Sequence, residues 1–398
     1  MGLGIAKRFF EEEEAREYHT SDDAVCPQCF SDGGLKAFIE DHLESNTCTV
    51  CGTTADHAIA APADDVLEFF LQKVGDHYEN ADGNAPWDNE EGRYFVTTWS
   101  MYDLVFDELQ DIADYSTLEW LYEHIKDDGE YCERNWQILS PGEALKSAWD
   151  RFCAVIKHET RFLFFAEKED DEDGEPFKVR PAEMLEELGK VISECGLIQD
   201  IKAGTRMFRA RGHEAGKAFT KVVDLGPPPK NAAKSAGRMN APGIVVMYGA
   251  FDRDTALAES SGPHTDFSVA EFELLKDFQV VNLTRVPRVP SIFESGPRES
   301  LRFLRHFAKD VSQRFTPDKE LHIEYTPTQV VSEYLRHRLR DKQGRPIHGL
   351  LYKSTEREGG ANLALFIESE ELEGTPSDRW KPKEHRLKMI SVEELRKV

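Results

Sequence analysis

Residues 205–259 read TRMFRARGHEAGKAFTKVVDLGPPPKNAAKSAGRMNAPGIVVMYGAFDRDTALAE, and the later stretches EYTPTQVVSEYL (324–335) and HGLLYKSTEREGGANLALF (348–366) have the same texture. Short β-branched or aromatic runs are separated by Gly and Pro: Thr205 to Ala210, Ile244 to Ala250, Phe278 to Leu283, Leu350 to Lys353 and Leu363 to Ile367. Runs of that length and punctuation predict strands joined by turns. The half after Gly196 is therefore expected to be an α+β domain. GPPP at 226–229 and GGAN at 359–362 read as turns. Neither matches GxGxxG or a P-loop, so no Rossmann or ATP site is inferred. HExxH, GxSxG and Cys/His nucleophile patterns are absent as well.

Upstream the texture is helical. Pro181 to Cys195 carries Met184, Leu185, Leu188, Val191 and Ile192 on one side, and residues 62–165 read as helices throughout. In Asp64 to Tyr78 one apolar stripe runs through Val66, Phe69, Phe70 and Val74. Ser116-Thr-Leu-Glu119 and Ser140-Pro-Gly-Glu143 match the capping box, the second with Pro141 at the favoured first helical position. The run it opens, Leu145 to Ile156, is broad enough for the central helix of a bundle. Between the two halves, EKEDDEDGE (167–175) holds seven acids and cannot bury itself, which puts a domain boundary there. At the C-terminus, Arg386 to Ile390 reads as a strand and Ser391-Val-Glu-Glu394 as a capped helix.

The seven cysteines fall unevenly. Cys26-x2-Cys29, eighteen residues, then Cys48-x2-Cys51 is zinc-ribbon spacing, two knuckles that together give the S4 shell Zn²⁺ prefers. Four sulfurs close that shell, so the metal is expected to be structural. Cys132, Cys153 and Cys195 lie in helical patterns and read as buried small hydrophobes.

Forty-nine Lys+Arg against 74 Asp+Glu leave a formal charge of −25 across 398 residues. Such acidity argues against nucleic-acid binding by the chain as a whole, since backbone phosphates are held by clustered Lys and Arg. No signal-peptide pattern or apolar window of membrane-spanning length is readable, so a cytoplasmic protein is expected.

The quoted motifs resemble the RES domain, a family named for its Arg, Glu and Ser, over about residues 200–368. FRAR looks like its opening strand, GRMNAPGIVVMYGA like its GRxN and strand-borne Tyr, TALAE carries its Glu and GLLYKS its Ser. Carried over residue by residue, these are Arg209, Arg238, Tyr248, Glu259 and Ser354. Arg211 competes with Arg209, because the doublet RAR leaves the register open by two. The N-terminal region resembles the zinc-containing helical segment, grouped with HEPN folds, that precedes some RES domains. HEPN ribonucleases use Arg-x4-6-His with a polar residue after the Arg. Arg151 to His158 has Phe152 there, and reads as an ordinary charged pair on a helix surface.

The resemblance implies a fold similar to ADP-ribosylating toxins and breakdown of NAD⁺ as substrate. Cleaving the nicotinamide–ribose bond builds positive charge on the ribose, which an ionised Glu259 would stabilise. Tyr248 would stack on nicotinamide, Arg238 and Arg209 or Arg211 would hold the pyrophosphate, and Ser354 would fix the ribose or amide. The expected fold class is α+β, ordered as a zinc-ribbon region (1–60), a helical HEPN-like domain (61–166), an acidic linker and helix (167–199), a mixed α/β RES domain (200–370) and a C-terminal strand and helix (371–398). Expected partners are NAD⁺ and an antitoxin or other inhibitory protein, with homo-oligomerisation open and no membrane. A transferase modifying a macromolecule and an inactive zinc-ribbon adaptor are the rival readings.

Overall fold

The computed structural model describes residues 16–126, 129–166, 179–260, 264–313, 321–375 and 383–396. The acidic run 167–175 lies outside them. Two compact units emerge, one of Met1–Leu139 with Val289–Arg298, the other of Ser140–Arg288 with Glu299–Val398.

In the first unit the cysteine knuckles and the helices share one core. Cys26, Cys29 and Cys48 are buried together with Leu35 and Ile39 of α1 (Gly33–Asp41), Val66, Leu67 and Phe70 of α2 (Ala63–Gly75), and Leu118 and Leu121 of α3 (Tyr115–His124). Asp32 caps α1 by accepting from the amides of Gly34 and Leu35. Gly34 is required by a close approach, since a Cβ there would lie 2.2 Å from the Phe293 carbonyl oxygen. The cap of α3 is Asp114, two residues before the expected Ser116: its carboxylate accepts from the Thr117 amide, and Ser116 donates its hydroxyl to that same carboxylate.

The all-helical reading of 62–165 is overturned. Tyr78–Asn80, Glu130–Glu133 and Trp99–Ser100 form a three-stranded antiparallel sheet with Glu130–Glu133 in the middle, and Trp87–Asp88 pairs with Arg93–Tyr94. Helical period was a weak guide where Gly83 and Gly92 turn the chain at positive φ between aromatic runs that prefer strands. Cys132 accordingly lies in a strand rather than a helix, fully buried, whereas Cys153 and Cys195 are half-buried.

The second unit is built on an eight-stranded sheet. In chain order its strands are β1 (Ile198–Ile201), β2 (Arg206–His213), β3 (Met247–Ala250), β4 (Asp266–Leu274), β5 (Phe278–Asn282), β6 (Gly349–Lys353), β7 (Ala361–Leu365) and β8 (Leu387–Arg396). They are arranged β8-β4-β2-β3-β7-β6-β5-β1, and only β5 and β6 run parallel. Between β2 and β3 the ladder is a single pair, Ala250 with Phe208. The expected C-terminal helix at Ser391 is strand instead. Nine residues of β4 pair with β8, which absorbs a bulge at Ile390 as pairing passes from Glu271–Ser391 to Phe272–Met389. A long ladder outweighs the roughly 0.5–2 kcal/mol that a local cap contributes.

One face of the sheet carries Met207, Met247, Leu363, Leu365 and Phe272 in one core. The opposite face, with Val281, Leu350, Tyr352 and Ala364, is covered by α4 (Pro141–Ala154), α5 (Met184–Glu194), α7 (Arg298–Ser312) and α8 (Thr326–His337). The capping box of Ser140 and Glu143 is formed as expected. What differs is the unit α4 serves, because Leu145, Trp149, Phe152 and Ile156 pack into the core of the sheet. Phe152 is fully buried, stacked on Trp149 at 5.5 Å and edge-on to Phe164 at 5.6 Å.

Phe152→Ala is expected to cost about 3–5 kcal/mol, the usual range for emptying a buried aromatic site. Urea unfolding followed by near-UV circular dichroism checks this; a loss under about 1 kcal/mol would mean that α4 is not part of this core.

Candidate active site

Cys26, Cys29, Cys48 and Cys51 converge with all four sulfurs within 4.8 Å of one another. Neighbouring Sγ atoms are 3.8 Å (Cys26–Cys29), 3.7 Å (Cys26–Cys51) and 3.6 Å (Cys29–Cys48) apart. Those spacings are far too long for disulfides and match the roughly 3.8 Å edge of a tetrahedron with metal–sulfur bonds of about 2.3 Å. The Cys26 amide donates to Cys48 Sγ at 3.3 Å, an outer contact that orients the ligand. Burial pushes the Cys26 and Cys29 thiols up, while the Thr53 hydroxyl beside Cys51 pulls that thiol down to about 6. The donor set fits a closed structural Zn²⁺ shell.

In the second unit, the short helix α6 (Arg253–Glu259) follows β3 directly. Asp252 caps it, accepting from the Thr255 amide at 2.8 Å and hydroxyl at 2.7 Å. Arg357 ties the loop after β6 to the same end, donating to Asp252 and Asp254. The loop approaches so closely that a Cβ on Gly360 would sit 2.6 Å from Thr255 Oγ1. At the far end of α6, Glu259 Oε1 accepts from Ser354 Oγ at 2.5 Å and from Asn362 Nδ2 at 2.7 Å. Ser354 is itself fixed, since its oxygen accepts from the amides of Glu356 and Arg357. Its proton therefore has one destination, the carboxylate. Glu259 Oε2 receives no protein hydrogen bond among the described residues.

Asn362 is buried and lies directly across from Tyr352 on β6 and Ala250 on β3. In sequence it sat at the end of a GGAN turn signal. Only its cross-strand alignment with the strand that carries Tyr248 distinguishes it, and pairing between distant strands is not readable from one chain.

Arg238 lies in a loop held from three sides. Tyr248 accepts from the Met239 amide and donates to Asn240 Oδ1, Thr328 of α8 donates to the Arg238 carbonyl, and Gln329 to the Gly237 carbonyl. The guanidinium donates through Nη1 to the carbonyls of Val311 (2.9 Å) and Gln313 (2.6 Å) and stands over the Tyr325 ring. Its Nε and Nη2 make no protein hydrogen bond among the described residues. Burial pushes the Tyr248 and Tyr352 hydroxyls up, and the fields of Tyr248, Arg238, Glu259 and Tyr325 all reach Tyr352. Arg238, Tyr248, Glu259 and Ser354, singled out in sequence, thus come to one face of the sheet around Tyr352.

Arg209 and Arg211 do not join them. On β2 both alternate with Phe208 and Ala210 and so share the face of Met207, where Arg209 donates to the Gly226 carbonyl and Met247 Sδ and Arg211 to the Asp224 carbonyl. Burial and the charge of Arg211 pull Arg209 down to about 10. Arg151 pairs with Glu159 on an exposed helix surface, the bland reading given to it in sequence.

A family model for the RES domain matches residues 206–381, and one for HEPN/RES N-terminal domain 1 matches residues 41–170. No curated protein and no solved structure matches the chain.

Metal analysis of freshly purified protein is expected to give one Zn²⁺ per chain, lost on replacing Cys26 and Cys29 with Ser together with the near-UV signal of the first unit. Stoichiometric protein without zinc would refute the closed S4 shell.

Proposed function

We propose, from the premise that this chain belongs to the RES-domain family and carries a HEPN/RES N-terminal domain, that its second unit destroys NAD⁺ by cleaving the nicotinamide–ribose bond. The observation that carries this reading is the Glu259 carboxylate, one oxygen fixed by Ser354 and Asn362 and the other without a protein hydrogen bond among the described residues. A carboxylate restrained in that way presents its free oxygen in one direction. Reorganisation is then avoided when positive charge develops nearby, which is where preorganised electrostatics lower a barrier.

In the proposed reaction the C–N bond breaks with its electron pair leaving on nicotinamide, and a nucleophile closes on the ribose carbon. Water yields ADP-ribose and a proton, and phosphate yields the phosphorylated sugar. Glu259 stabilises the oxocarbenium character and orients the nucleophile or a ribose hydroxyl. Arg238, with Nε and Nη2 unengaged among the described residues, suits the pyrophosphate because guanidinium forks hold phosphate oxygens in pairs and keep their charge. The Tyr248 ring offers a stacking face for nicotinamide, while its hydroxyl positions the Arg238 loop. Ser354 and Asn362 act through Glu259 as positioning residues. Arg209 and Arg211 have no part in this assignment. Kinship with the fold of ADP-ribosylating toxins and a toxin–antitoxin or phage-defence setting, in which a partner protein restrains NAD⁺ loss, belong to the same proposal.

Purified protein is expected to consume NAD⁺, with product masses telling water, phosphate and macromolecular acceptors apart. Glu259→Gln should lower turnover by about 10²-fold or more with KM little changed. Asn362→Ala, which frees the carboxylate without removing it, should lower kcat by roughly 10–10²-fold, again at similar KM. Arg238→Ala should mainly raise KM, by the roughly 1.5–3 kcal/mol of a charge-assisted hydrogen bond. Near-normal turnover by Glu259→Gln would show that the carboxylate is not the catalytic group.

A further inference from the structure

A second group of metal-ligating side chains sits in the second unit, where α4 meets α7. Asp150 lies on α4 beside Trp149, and His306 and Asp310 lie one turn apart on α7, so their side chains share a face. The packing beneath is rigid, with Trp149 fully buried and edge-on to Phe307 at 5.0 Å. The Trp149 indole N–H donates to Asp310 Oδ2 at 3.0 Å and fixes that carboxylate.

The imidazole is the telling element. His306 Nε2 is shielded from solvent and has no hydrogen-bond partner, although Asp310 Oδ2 is 3.4 Å and Asp150 Oδ1 3.9 Å away. An unbonded buried nitrogen aimed between two carboxylates is costly if nothing lies among them. The spacings suit ligands around one ion better than hydrogen bonds: bonds of about 2.1 Å give ligand–ligand edges of roughly 3.0–3.4 Å in octahedral or tetrahedral shells. The three donor atoms lie within 4.8 Å of one another, and Asp150, 59% exposed, is free to close the wider edge.

We propose that Asp150, His306 and Asp310 form a binding site for one divalent first-row transition-metal ion, with solvent completing the shell. Two carboxylates balance the dication, and the neutral imidazole favours these metals over Mg²⁺ or Ca²⁺. The ion clamps α4 to α7 immediately before the carbonyls of Val311 and Gln313, which hold Arg238. The site is separate from the S4 cluster by ligand chemistry, and it does not depend on the proposed NAD⁺ reaction.

The test is a Co²⁺ titration of the full-length, zinc-loaded chain by equilibrium dialysis and visible spectroscopy. Expected is one saturable Co²⁺ per chain without a thiolate-to-cobalt charge-transfer band, and a dissociation constant raised at least about tenfold in His306→Gln and in Asp310→Asn, with the zinc retained. Asp150→Asn, at the exposed ligand, carries the comparison should either α7 variant fail to fold. Absence of saturable Co²⁺, or unchanged affinity in the variants that fold, would mean that the cluster is an ordinary imidazolium–carboxylate pair and would overturn the proposal.

Discussion

Everything at the candidate active site depends on how one carboxylate oxygen is held. Glu259 stands at the end of a helix of only seven residues, too short to be rigid by itself. Its direction is set by two donors on other elements, Ser354 just beyond β6 and Asn362 on β7. Those strands are adjacent in the sheet, and β7 also pairs with β3, the strand that leads into α6. The carboxylate is therefore fixed by the register of three strands. A one-residue slip of β7 would turn Asn362 to the other face and leave the acid without its buried donor.

The same dependence explains what the sequence made legible. Cysteine spacing and the Ser140 cap are local patterns, and each was recoverable because its chemistry lies within a few neighbouring positions; Arg238, Tyr248, Glu259 and Ser354 were singled out only through the resemblance of their motifs to the RES domain. Asn362 was not, since its meaning comes from a residue 103 positions earlier in the chain. Likewise SVEE at 391–394 has the local form of a helix start, and only the ladder with β4 overrides it. The choice between Arg209 and Arg211 could not be settled by picking a register, because residues two apart on a strand face the same way. Both are directed away from Tyr352, and their guanidinium groups satisfy carbonyls at the end of the short helix Val222–Leu225.

The helix α4 shows a second limit of local reading. Its periodicity and capping were plain, yet an apolar stripe says only that a face will be buried and not against what. Here it is buried against α7 and the sheet, so residues that follow the first unit in sequence help build the second. In the first unit the S4 cluster is packed into the same core as α1, α2 and α3, so a metal held there would couple to the folding of the whole unit rather than of a separate ribbon.

Opposite charges on one face are the last consequence of this architecture. The chain bears a formal charge of −25, so an anion approaching it meets repulsion unless a fixed cation is presented locally. In the proposed assignment Arg238 would supply that cation, its loop tied to Tyr248 and α8 and its Nη1 donating to carbonyls. Glu259 has neutral partners, Ser354 and Asn362, on its bonded oxygen. Had the two charges paired directly, each would have cancelled the other. Kept apart, they would present a positive and a negative pole to one ligand in the proposed reaction. A dinucleotide with an anionic pyrophosphate and a cationic nicotinamide ring carries the complementary pair, and the nicotinamide–ribose bond would then be the part that meets the carboxylate.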